Sequence, residues 1–211
     1  MDQVSETKMA ETLRQLISSA GVSVLRKVEK GGVLKRREFR EIVEKWYGRK
    51  IPWPLVEPDL ILVFEDYGNK RGDGNFIAAV ELKFFKQDKN LDKALRQAYK
   101  EFGQPLRNLI YGFDAACLWH IFDVQIDEEK IREYTKLIRY TIEKFKLPQS
   151  YLATTFPSDK IKVYQPIEYV CDNISSLIAY LRNLLENEQS PFDLKEVKEY
   201  RDAIKVALRI P

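Results

Sequence analysis

The stretch 57–86, EPDLILVFEDYGNKRGDGNFIAAVELKFFK, holds two apolar runs rich in β-branched and aromatic residues, separated by a polar loop with three glycines. Runs of this kind read as strands, and the loop reads as a hairpin connection. Charges inside buried strands are costly unless they are paired or bind a metal. Asp59 nevertheless opens the first run, and Glu81 and Lys83 sit inside the second. An antiparallel register that sets Asp59 opposite Glu81 also sets Phe64 opposite Phe76, a favourable aromatic pair. The loop then covers 66–75, where Gly68, Gly72 and Gly74 supply backbone freedom. Strand side chains alternate, so Glu81 and Lys83 project on one side with Ile77, Ala79 and Phe85, while Val80, Leu82 and Phe84 project on the other. Both sides are largely apolar, and the second run is therefore expected to be a central strand covered on both faces.

Helices and further strands are expected around this hairpin. Ser5 can cap a helix over 5–19 in which Met9, Leu13 and Leu16 recur at helical spacing. The run 21–32, GVSVLRKVEKGG, reads as a strand or an extended arm closed by Gly31 and Gly32. A second helix is expected over 34–47, with Leu34, Phe39, Ile42, Val43 and Trp46 on one stripe and a stop at Gly48. The three prolines of 49–58, RKIPWPLVEP, exclude a helix interior and a central strand, which leaves an extended edge segment leading into Asp59. Further on come a helix over 92–102 ended by GQP at 103–105, a buried strand over 114–124, and a long helix over 127–145 capped by Asp127 and stopped near Pro148. A strand over 160–170 and helices over 172–185 and 192–208 complete the reading. Helices before, between and after strands indicate an α/β domain with a central sheet flanked by helices on both faces. A chain of 211 residues is expected to form one domain, 1–211, and any linker is short, around 186–191.

In this register two carboxylates and one ammonium converge at one end of a dry sheet. Neighbouring carboxylates repel each other unless a cation sits between them. Hard oxygen ligands of this kind suit Mg²⁺ or Mn²⁺, and Lys83 can hold a water or stabilise charge building on a phosphate. A structural salt-bridge set at a sheet end is the plainer alternative.

Pro58-Asp59 followed by Glu81-Leu82-Lys83 resembles the signature of the PD-(D/E)XK nuclease superfamily. The resemblance implies a restriction endonuclease-like core with a central mixed sheet, and a metal-dependent phosphodiesterase activity on DNA. Asp59 and Glu81 would hold the metal, with the Leu82 carbonyl as a further ligand, and Lys83 would orient the attacking water or neutralise the transition state. Members often place an acid on the first core helix. On 34–48, LKRREFREIVEKWYG, Glu38 borders the buried stripe and is preferred, with Glu41 next. Some members carry a glutamine on the helix after the lysine, a place that Gln97 fits, with Tyr99 and Lys100 nearby as phosphate contacts. The resemblance covers about 34–124, with additions at 1–33 and 125–211, and it departs from the pattern where a regular strand is expected between the acidic helix and Asp59. Among branches the chain looks most like archaeal Holliday junction resolvases and small nuclease-like proteins of crenarchaeal viruses. A homodimer acting on branched DNA is compatible with this reading.

Other chemistries find little support. Apolar residues at 45% and charged residues at 32% describe a globular chain rather than a disordered one. No apolar run reaches the roughly 18 residues needed to cross a bilayer, and the first residues lack the apolar core of a secretory signal, so a cytoplasmic protein is expected. The two cysteines, Cys117 and Cys171, form no CxxC and read as buried thiols in a reducing compartment. The lone histidine, His120, reads as a hydrogen-bonded core residue. The 66–76 loop lacks the alternating oxygen ligands of a calcium loop, and no nucleotide-cradling glycine motif is present. The segment 26–50 holds ten Lys/Arg against four Glu, which fits either a phosphate-facing surface or a solvated helix face. Trp46, Tyr47 and Trp53 beside Arg49 and Lys50 fit either base stacking or packing. A non-catalytic nucleic-acid-binding protein of the same fold, or an interaction protein that never meets nucleic acid, are the rival functions.

Overall fold

Phe64 stands opposite Phe76 with ring centroids 6.4 Å apart, and this pair sets the frame of the molecule. The computed structural model describes residues 6–32, 37–47, 57–65, 74–100, 103–156, 160–187, 190–192 and 194–210. In chain order the elements are α1 (Glu6–Ser19), β1 (Leu25–Lys30), α2 (Arg37–Tyr47), β2 (Leu60–Glu65), β3 (Asn75–Phe85), α3 (Leu91–Tyr99) and α4 (Gly103–Ile110). They continue with β4 (Ala115–Phe122), α5 (Glu128–Phe145), β5 (Ser150–Thr155), β6 (Ile161–Gln165), β7 (Tyr169–Cys171), α6 (Ile174–Asn187) and α7 (Leu194–Leu208). The strands form one seven-stranded sheet whose spatial order is the chain order. β1, β2 and β3 make an antiparallel meander, β3, β4 and β5 run parallel, and β6 and β7 return antiparallel. Parallel neighbours need a crossover; α3 with α4 supplies the first and α5 the second.

Alternation along β2 and β3 sorts their side chains between two layers. Leu60, Leu62, Phe64, Ala78, Val80 and Leu82 pack with Met9, Leu13 and Ile17 of α1 and with Leu177, Ile178 and Leu181 of α6. On the opposite face Ile61, Val63, Ile77 and Ala79 meet Phe39 of α2 and Tyr200, Ala203 and Ile204 of α7. Further along that same face Phe85, Leu118 and Phe122 meet Leu91 and Leu95 of α3 and Ile131, Ile138 and Ile142 of α5. Each aliphatic side chain removed from water contributes roughly 1.5–3 kcal/mol, so the β-branched runs hold the sheet at its centre. α5 shows the local logic: Asp127 caps it by accepting from the Lys130 N–H at 3.0 Å, Ile131, Thr135, Ile138 and Ile142 bury one stripe, and Lys146 ends it in the left-handed region.

The C-terminal helix is tied to the sheet by a buried ion pair. Arg201 Nη1 donates to Asp114 Oδ2 at 2.6 Å and Nη2 to the Asn75 carbonyl at 2.8 Å. The same Asp114 oxygen accepts from the Ile77 N–H at 2.7 Å. Gly112 (φ +84°) brings the chain within 2.9 Å of the Arg201 backbone, measured from where a Cβ would stand, so a side chain there would separate α7 from the sheet.

Two sequence expectations change, one strand was not read, and one pairing was left open. The GQP at 103–105 opens helix α4 instead of ending a run, because a proline in the first turn needs no N–H partner. The strand over 160–170 is two strands, β6 and β7, that pair antiparallel on either side of Pro166, since proline cannot donate to a ladder. The unassigned segment SYLATT forms β5, buried along its whole length; its serine, alanine and threonines give little hydrophobic signal of their own. The strand that pairs with β2 on the outer side is β1, which precedes α2, so α2 is inserted between β1 and β2. The buried positions of Cys117 and Cys171, unbridged, are as expected. Among the described residues no helix is long and apolar enough to cross a membrane.

Candidate functional site

The register that pairs Leu60 with Val80, carried one step past the end of β2, places Asp59 opposite Glu81. Here β2 has ended but β3 continues, so β3 has backbone groups without a strand partner on that side. Asp59 takes the place of one: its Oδ2 accepts from the Leu82 N–H at 2.7 Å. In a strand the N–H and C=O of one residue point to the same neighbour, so the Leu82 carbonyl faces the side on which Asp59 lies. The backbone at Asp59 is held in turn by β1, because the Gly31 N–H donates to the Asp59 carbonyl at 3.1 Å. The Gly32 N–H donates to Glu57 Oε2 at 2.8 Å. Any side chain at Gly31 would strike the Pro58 carbonyl oxygen. The Gly31-Gly32 pair that looked like a strand terminator is thus also a close-approach device beside Asp59.

Glu81 lies on the face shared by the α2–α7 and α3–α5 layers, but belongs to neither apolar cluster. It is 4% exposed. Its Oε1 accepts from Asn108 Nδ2 of α4 at 2.9 Å. Burial raises its pKa to about 7, the Asn108 hydrogen bond opposes this, the Asp59 charge adds to it, and the charges of Arg107 and Lys83 oppose it. Burial also raises the pKa of Asp59, against the Leu82 N–H and the Lys83 charge. Asp59, Glu81 and Lys83 therefore lie within electrostatic reach of one another, and the helix that begins at Gly103 adds Arg107 and Asn108. Arg107 is partly buried, and its Nε meets no hydrogen-bond acceptor among the described residues. These two residues were not singled out from sequence; reading 103–105 as a stop hid the helix that carries them.

The other sequence candidates are distributed as follows. Glu38 is on α2, but its side chain lies outside the described residues. Glu41 is exposed and accepts from Arg37 Nε at 2.6 Å. Gln97 is exposed on α3, and the amide that meets Glu81 belongs to Asn108. His120 pairs with Lys83 across β3 and β4, is fully buried, and shares a 3.1 Å hydrogen bond with the Tyr151 hydroxyl. Burial, reinforced by the Lys83 charge, lowers its pKa to about 3, as befits a neutral core histidine. Much of the described basic stretch is engaged within the fold: Arg26 bonds Asn75 Oδ1, Lys27 the Leu208 carbonyl, and Arg37 and Arg40 pair with Glu41 and Glu44. Trp53, Arg49 and Lys50 lie outside the described residues.

Among the described residues no group of three or more His, Cys, Asp or Glu forms a metal cluster. What the site offers is sparser: one carboxylate oxygen of Asp59 and one of Glu81 outside the bonds described, and the Leu82 carbonyl. An all-oxygen set with one or two carboxylates suits Mg²⁺, which usually keeps several waters. The mutual repulsion of Asp59 and Glu81 is the energy that a cation there would relieve. Comparison with models of protein families, with curated proteins and with solved structures finds no match for this chain.

Proposed function

We propose that the chain is a Mg²⁺- or Mn²⁺-dependent endonuclease that hydrolyses phosphodiester bonds in DNA, built on a restriction endonuclease-like core. The observation that carries this reading is the meeting of Asp59 and Glu81 where β2 ends, with Lys83 two residues further on the same side of β3. The order α2, β2–β3 hairpin, α3–α4, β4 also supports it. In hydrolysis the oxygen of water bonds to phosphorus, the bond to one ester oxygen breaks, and that oxygen leaves with a proton. A divalent ion in such a site supplies polarisation of the phosphate and a bound water of lowered pKa. Asp59, Glu81 and the Leu82 carbonyl would hold it. Leu82 N–H and Asn108 fix the two carboxylates in place, and the Lys83 ammonium neutralises charge on the phosphate oxygens or holds the attacking water. A two-fold dimer would present two such sites to the two strands of a symmetric branched substrate.

A cleavage panel tests the reading: linear duplex, flapped, single-stranded and four-way DNA, with Mg²⁺ or Mn²⁺, for the parent and Glu81→Ala. The parent should cut at least one substrate, and the variant should lose cleavage by at least about a hundredfold, the scale set by losing one element of transition-state stabilisation, with DNA binding largely kept. Equal cleavage by both proteins would remove the site. The low exposure of Glu81 and its bond to Asn108 favour a second reading, a nucleic-acid-binding protein of the same fold that does not cut. It predicts salt-dependent DNA binding and no hydrolysis with either metal.

A further inference from the structure

On the site's side of the sheet, α3 and α5 leave a cavity of about 610 Å³ between them, within the size range of small-ligand pockets. α3 and its C-cap line it with Lys93, Arg96, Tyr99 and Lys100, and α5 with Tyr134 and Leu137. Lys93, Arg96 and Lys100 follow helical spacing, so they lie along one face. No acid is among the described residues that line the cavity, and neither Lys93 nor Lys100 meets a described carboxylate at ion-pair distance. Arg96 Nε donates to the Asp92 carbonyl at 3.2 Å, and the Asp92 carboxylate is engaged by Lys130 at 2.5 Å. Tyr99 is 38% exposed, with its hydroxyl 3.3 Å from Thr141 Oγ1. Tyr134 forms the inner wall: its hydroxyl donates to the Leu95 carbonyl at 3.3 Å, and its ring stacks on His120 at 5.7 Å. His120 is the strand partner of Lys83. The inner wall of the groove thus packs on the strand neighbour of Lys83.

We infer that this groove binds an unpaired stretch of a nucleic-acid strand, with bases against Tyr99 and Leu137 and phosphates along Lys93, Arg96 and Lys100. An apolar floor edged by a row of cations matches a ligand that is flat and apolar on one side and anionic along the other. A free anion has no use for the floor. A closed duplex keeps its bases inside the stack and cannot lay one on Tyr99. Base–aromatic stacking beside a basic track is the general mode of single-strand binding. The inference deepens the nuclease reading by giving its substrate an unpaired strand, yet it concerns binding and does not need cleavage.

The test is fluorescence anisotropy of the full chain, in EDTA, with a labelled oligothymidine of about 12 nucleotides and a blunt duplex of equal length, across a salt series. The parent should prefer the single strand, with log K falling against log salt at a slope of about −2 for three phosphate contacts. Arg96→Glu with Lys100→Glu should weaken binding at least tenfold and bring the slope to about −0.7. Tyr99→Ala should weaken it at least threefold and leave the slope unchanged. These side chains are exposed, and a thermal melt confirms that each variant is folded. Parent-like binding by the charge-reversed protein, or a duplex bound as tightly as the strand, overturns the inference, as does a polyglutamate competitor that displaces the strand at equal charge concentration. Glu81→Gln separates the two proposals: unchanged strand binding with cleavage lost supports both, whereas strand binding without cleavage in the parent removes the nuclease reading alone.

Discussion

Glu81 exchanges water for a place in a central strand, and among the described residues one amide, Asn108, is its hydrogen-bond partner there. The consequence for stability has a definite sign. Below about pH 4.5 the carboxyl is protonated in both folded and unfolded chains, and burial carries no charge penalty. Between 4.5 and about 7 the unfolded chain ionises while the folded one keeps its proton, so stability falls as pH rises and the loss is complete above about 7. Glu81→Gln keeps the volume and an oxygen for Asn108, and should stabilise the chain by about 1–3 kcal/mol at pH 8 and by much less at pH 4. Urea unfolding at the two pH values measures this, and a difference independent of pH would discard burial as the cause. His120 acts in the opposite direction. Its lowered pKa keeps it neutral in the fold while the unfolded chain gains a proton below about 6.5, so its contribution is lost on acidification.

Among elements, the junction of β3, β4 and α7 concentrates a buried ion pair and a close backbone approach. Arg201 and Asp114 are each 1% exposed and pair at 2.6 Å. Removing one partner leaves a buried charge uncompensated, which costs about 3–5 kcal/mol. Arg201→Met should therefore lower the melting temperature by roughly 10 °C in a domain of this size. Gly112→Ala combines a disfavoured φ of +84° with a clash against the Arg201 backbone and should cost about 1–3 kcal/mol. Because alanine at 112 pushes on Arg201 itself, the double variant should lose less than the sum of the two. Strict additivity in thermal melts would show that the two positions are not coupled.

For the whole molecule the useful fact is where the apolar layers stop. One face of the sheet is filled by α1 and α6. The other is filled by two separate clusters, with Glu81 and Lys83 between them. A cation bound in that gap binds the folded chain and not the unfolded one, so it should raise global stability by mass action. At a hundred times its dissociation constant the gain is about 2.7 kcal/mol, or roughly 5–10 °C in melting temperature. Mn²⁺ titrated into the parent should show this rise, and Asp59→Asn with Glu81→Gln should abolish it. An equal rise in the double variant would place the ion elsewhere.

The hairpin register, the central position of β3, the N-cap of α5 and the meeting of Asp59, Glu81 and Lys83 were legible in the residues. Each follows from short-range rules: alternation, aromatic pairing, turn chemistry and helical spacing. What the chain does with Gly103–Pro105, with the weakly apolar SYLATT, and with the outer edge of β2, where β1 pairs, was not, because those outcomes depend on partners far away in sequence. Asn108 reaches Glu81 only once α4 is folded over β3, and Arg201 reaches Asp114 only when the last helix closes the face. Local sequence determined Asp59, Glu81 and Lys83; long-range packing brought Arg107 and Asn108 to them and decided how dry they are and that a tyrosine-lined groove lies between α3 and α5.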